Sequence, residues 1–162
     1  MIWEDYIPID IQELYEIYDF KHAAAILVHE FPNEARELFT ALKKFKFTEE
    51  EVKRPGGNES AIPKKFSELL RGDGWVEDTL TAMMVVDGKE ISQDTHKVDY
   101  LKGRVAFDLE RNSKDQTFDR DLYAFRTFFE YGRISVGILV TRSNELDPWI
   151  VSEVLPRNRT VT

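Results

Sequence analysis

Three acids, Asp99, Asp108 and Glu110, stand inside the run Val98-Asp99-Tyr100-Leu101-Lys102-Gly103-Arg104-Val105-Ala106-Phe107-Asp108-Leu109-Glu110-Arg111-Asn112. If Val105 to Asn112 is a strand, the two-residue period puts Val105, Phe107, Leu109 and Arg111 on one face and Ala106, Asp108, Glu110 and Asn112 on the other. Two carboxylates on one face of a strand repel each other, and Asp is a poor strand former, so the pattern asks for solvent, a proton or a cation to screen it. Hard oxygen donors around Mg²⁺ are one answer, with Asp99 adding a third carboxylate from the end of an adjacent antiparallel strand. An edge strand with a solvated acidic face is the other.

Periodicity indicates the elements that would position these acids. After a short extended start, His22 to His29 and Pro32 to Phe45 read as helices, the second with proline in its first turn and an apolar stripe of Ala35, Leu38, Phe39, Leu42 and Phe45. Pro55-Gly56-Gly57-Asn58 reads as a loop, before a helix with Ile62, Phe66, Leu69 and Leu70 on one face and Gly72-Asp73-Gly74 at its end. Trp75 to Thr81 and Met83 to Val86 read as strand, Asp87-Gly88 as a hairpin turn and Lys89 to Ile91 as the returning strand. Lys97 to Tyr100 is a further strand segment, joined through Lys102-Gly103 to the acid-bearing one. Phe118 to Tyr131 repeats Leu122, Phe125, Phe128 and Phe129 at helical spacing, and Ile134 to Val140 has the pattern of a strand covered on both faces. The expected class is α/β, a mixed central β-sheet flanked by helices.

At 162 residues with 42% hydrophobic content, one substantial core is expected, in a single domain covering residues 1–162. The apolar runs are too short to span a membrane, and Trp3, Glu4 and Asp5 stand where a secretory leader would be basic and apolar, so the expected location is cytoplasmic. Absence of cysteine removes disulfides, thiolate nucleophiles and zinc-thiolate sites. His22, His29 and His96 lack the spacing of paired metal ligands, which leaves oxygen chemistry. The net charge of −8 opposes a polyanionic partner, yet it is uneven: residues 1–50 hold 11 acids and 5 bases, residues 51–65 hold 2 acids and 4 bases. An acidic body with local basic segments can still grip DNA if divalent cations bridge carboxylate to phosphate.

Several blocks, in order, carry a resemblance. Gly56-Gly57-Asn58-x-Ser60, Gly74-Trp75-x-Glu77, Val85-Val86-Asp87-Gly88, Thr95-His96-Lys97-Val98-Asp99, Arg104 to Glu110 with Asn112 and Lys114, Asp119-Arg120-Asp121-Leu122 and Ile134-Ser135-Val136-Gly137 resemble the BglII/BstYI-like type II restriction endonucleases of the PD-(D/E)XK superfamily. The similarity runs from about residue 15 to about residue 142. It implies the αβββαβ core of that fold and Mg²⁺-dependent hydrolysis of phosphodiester bonds in duplex DNA at a short palindromic site. It also implies Mn²⁺ as a substitute ion, a homodimer, and a cognate DNA methyltransferase in the same restriction-modification system. Asp108 stands where Glu is expected and Glu59 where a base is expected. The tail after Leu155-Pro156-Arg157 is short, which suggests a C-terminally truncated member.

The resemblance assigns catalysis and the metal to Asp99, Asp108 and Glu110; Glu77, read at the end of the first strand beside Trp75, is a fourth catalytic candidate, weighed against an exposed strand charge. Glu110, at the position that is Lys in many relatives, would orient the attacking water or bind a second cation. Phe125 and Phe129 are expected to pack the acid-bearing strand. DNA contacts are expected from Asn58, Ser60, Lys64, Lys65, Lys97, Asn112 and Lys114, each weighed against plain capping, turn formation or solvent exposure. Trp75 and Trp149 are expected to be packing residues. The alternative functions are a catalytically impaired DNA-binding relative and an acidic protein-interaction module.

Overall fold

The computed structural model describes residues 2–46, 61–110 and 115–141. A 3₁₀ turn at Trp3–Asp5 leads to α1 (Ile9–Gln12), α2 (Ala23–Glu30), α3 (Pro32–Lys44) and α4 (Ala61–Leu70). Then come β1 (Val76–Val86), β2 (Lys89–Lys102), β3 (Val105–Glu110), α5 (Asp115–Glu130) and β4 (Val136–Thr141). From α4 onward this is the expected αβββαβ order. The extended start is instead helical: Pro8 precedes α1, and Gln12 Nε2 donates to the carbonyl of Ile7 at 2.7 Å. Among the described residues no helix is long and apolar enough to cross a membrane.

The sheet order is β1-β2-β3-β4, antiparallel at the first two junctions and parallel between β3 and β4. Two hydrophobic clusters lie on its faces. One gathers Leu27, Leu38, Leu42, Phe66 and Leu70 of the first four helices against Trp75, Tyr100, Val105, Phe107 and Val136. The other packs Phe125 and Phe128 of α5 with Ile134 on Val98, Leu101 and Ala106. Phe66, Tyr100 and Phe107 join by ring contacts, with Phe66 stacked on Phe107 at 5.0 Å between centroids. The α3 stripe is buried as its spacing predicts, with Phe39 and Phe45 at the margin of the core.

β3 is therefore an inner strand covered on both sides. Val105, Ala106, Phe107 and Asp108 are all buried, and the solvated edge strand is overturned. β4, expected to be covered on both faces, is the end strand of the described sheet; only Val136 is fully buried and the rest is half covered or exposed. Asp87 and Gly88 adopt φ of 51° and 74°, the left-handed pair a two-residue hairpin turn requires. Beyond that turn β2 continues as strand through polar Ser92 to His96, with a register shift against β1 between Asp94 and Lys97, because the ladder is made by backbone groups whatever the side chains. The β1–β2 hairpin thus continues far past the three positions at which β2 pairs with β3.

The α5 stripe differs from expectation by one position. Asp121, Ala124, Phe125 and Phe128 are buried, a run at i, i+3, i+4 and i+7, while Leu122 and Phe129 are exposed. Phe125 packs the acid-bearing strand as expected, and Phe128 does so in place of Phe129, which is 61% exposed. Phe125 fits because residue 137 on β4 is glycine: a Cβ there would lie 2.8 Å from its ring.

Candidate active site

A bulge in β2 sets the geometry. Val76 pairs with Leu101 and Asp78 with Val98, so β2 holds one more residue than β1 across the stretch containing Asp99 and Tyr100. Bulges re-aim side chains and loosen local pairing. The β2–β3 ladder ends at Tyr100 and Phe107, and one step outward the Asp99 N–H donates to Oδ1 of Asp108 at 2.6 Å. A side chain thus replaces the strand's next backbone acceptor and ties the first two acids together.

Neighbours hold the bulge. Arg71 stacks its guanidinium 4.7 Å from the Tyr100 ring centre, and its Nη2 donates to the carbonyl of Asp99 at 3.1 Å. Ser67 and Tyr100 hydroxyls are 2.7 Å apart. At the end of β2, Lys102 Nζ donates to both oxygens of Glu37 and to the carbonyl of Asp73, while Trp75 Nε1 donates to Glu37 at 3.0 Å. Trp75 is thus a packing residue with a satisfied indole.

Burial and mutual repulsion dominate the electrostatics. Asp108, 4% exposed, has its pKa pushed up to about 7, mainly by burial. The Asp99 amide opposes that shift, and the charges of Asp99, Asp121 and Glu110 add to it. Asp99 is raised by burial against the pull of Lys97, and Glu110 by burial and by Asp121 against the pull of Arg120. Such displaced pKa values mark functional clusters, although buried structural networks also produce them.

Glu77 lies near the start of β1, not at its end as expected, and its charge reaches Asp99. Its Oε2 takes Lys97 Nζ at 2.5 Å, with both side chains half exposed, so the cation expected to meet phosphate is held by an acid. Lys64 is exposed on α4, and Lys65 Nζ donates to the carbonyl of Lys46 at 2.9 Å. Asn58, Ser60, Asn112, Lys114 and Trp149 lie outside the described residues.

Sequence reasoning missed two charged neighbours of the acids on α5. Arg120 donates through Nε and Nη2 to Oδ1 of Asp121 at 3.0 Å, and its Nη2 lies 3.4 Å from Glu110 Oε1. Asp121 is buried, and among the described residues no group donates a hydrogen bond to its Oδ2. The structure supplies the signal: Asp121 begins the stripe that is buried, with Ala124, Phe125 and Phe128, and so faces the sheet.

As the side chains stand, no three of the acidic or histidine residues described are gathered so that they could hold a metal ion. The donor set still suits a divalent cation. All its atoms are hard carboxylate oxygens, two of the acids are buried, and Asp121 Oδ2 lacks a compensating donor among the described residues. No curated protein matches the chain. A family model described as restriction endonuclease BglII/BglIII matches residues 15–159, and the chain belongs to that family: it is a type II site-specific deoxyribonuclease, a hydrolase acting on duplex DNA.

Proposed function

We propose that the chain is a Mg²⁺-dependent endonuclease that cuts both strands of duplex DNA at a short palindromic sequence. The observation that carries the reading is the direct link of Asp99 to Asp108 at the β2 bulge, with Glu110 two residues further along the buried strand. Asp99, Asp108 and Glu110 are the metal donors, and Mn²⁺ can replace Mg²⁺. A divalent ion there polarises the scissile phosphate and lowers the pKa of a bound water. Glu110, half-buried, orients the attacking water. Glu77 sits at the margin, where its partner Lys97 can turn from carboxylate to phosphate when DNA arrives.

Further contacts to DNA come from Asn58, Ser60, Lys64, Lys65, Asn112 and Lys114. The chain acts as one domain and as a homodimer, so that a two-fold site meets two equivalent cutting centres. A methyltransferase of the same specificity protects the host DNA, and the pair works in the cytoplasm.

The test is cleavage of a mixed-sequence plasmid in Mg²⁺ or Mn²⁺, followed by mapping of the ends. Discrete fragments are expected, with cuts on the two strands related by a two-fold axis. Asp108→Asn should lower the rate by at least about 100-fold, as expected when a ligand of the catalytic ion is lost. Intact plasmid under both ions rejects the reading, and unsymmetrical ends reject the homodimer.

A further inference from the structure

Asp121 has a feature that a structural ion pair leaves unexplained. Its side chain is only 6% exposed, and Arg120, itself 56% exposed, satisfies Oδ1 alone. Among the described residues, Oδ2 is buried without a donor. A carboxyl oxygen taken out of water on those terms is costly to leave uncompensated. The surroundings are acidic: its charge also acts on Asp99 and Asp108, and its carboxyl lies within hydrogen-bonding reach of that of Glu110, so that a proton or a cation between the two is what the pair calls for. Arg120 partly offsets this by reaching Glu110 as well, but it stands at the rim and cannot enter among four acids.

We propose that Asp121 is a fourth oxygen ligand of the divalent ion, binding through Oδ2 from the helix side while Arg120 keeps Oδ1 in place. This rests on the function proposed above. Helix α5 then supplies to the site what β2 and β3 cannot, a donor from the face opposite the first helices. Arg120 becomes a positioning residue, holding Asp121 by one oxygen and lying beside Glu110.

Calorimetric titration of Mn²⁺ into the wild-type chain, Asp121→Asn and Asp108→Asn, without DNA, tests this. The wild type is expected to take up the ion. Asp121→Asn is expected to bind about tenfold or more weakly, in line with the dependence of affinity on the charge and number of ligands. In EDTA it should be at least as stable as the wild type, since a buried charge has been removed. Equal affinity of wild type and Asp121→Asn, with Asp108→Asn weakened, overturns this inference and leaves the reading of the site standing. No uptake by the wild type overturns both. If Asp121→Asn fails to fold, carbon NMR of the wild-type chain decides the matter. The side-chain carboxyl resonance of Asp121 should move with that of Asp108 as Mg²⁺ is added, and a stationary Asp121 resonance overturns the inference.

Discussion

Asp108 ties stability to protonation. Its folded pKa of about 7 lies above the unfolded value of 3.8, so the folded chain binds this proton more tightly. The stabilisation is complete below about pH 4 and is lost as pH rises toward and past about 7. The difference is a few kcal/mol, on the order of 4 at most. In EDTA the urea midpoint of the wild type should therefore fall between pH 5 and pH 8, and Asp108→Asn, which keeps an acceptor for the Asp99 amide, should flatten that fall. Equal slopes for the two proteins would show that Asp108 is not the titrating group. That Asp108 and Glu110 share one strand at two-residue spacing was legible, because alternation along a strand exposes paired acids. Asp121 was not, because acids early in a helix ordinarily complement its dipole in solvent. Only the stripe through Ala124, Phe125 and Phe128 shows that it turns inward.

Among the elements, the order and type of helices and strands from α4 to β4 could be read from punctuation and period. Pro32, Gly74 and Asp87-Gly88 mark boundaries where the structure has them. What could not be read was the β2 bulge, since one extra residue in a strand leaves no trace in composition and appears only when two strands are paired. The phase of the α5 stripe was also missed: Leu122 and Phe129 are as apolar as the residues that pack, and only the sheet decides between them. The α5–β4 junction is tight at one point. Gly137→Ala forces its new methyl into the Phe125 ring at 2.8 Å. It should cost about 1–3 kcal/mol, as overpacking usually does. Chemical denaturation that finds the alanine protein as stable as the wild type would mean that the ring can withdraw freely.

Across the whole molecule, hydrophobic content and length led to the expectation of one substantial core, whereas the described residues form two clusters, one on each face of the sheet. The acids lie at the end of the β2–β3 ladder, tied in by the Asp99–Asp108 bond and the Arg71 stack. Beyond Asp99, among the described residues, β2 pairs with β1 alone, and a lone two-stranded ribbon is marginally stable in water. Its outer half can therefore open and close as a small unit of its own, at a free energy well below that of global unfolding. Native-state amide exchange should show this directly: Met83, Met84, Ser92 and Gln93 trade hydrogen for deuterium early, while Phe107 and Leu101 wait for the whole fold to come apart. Uniform rates along both strands would mean that the ribbon is bound to the body after all.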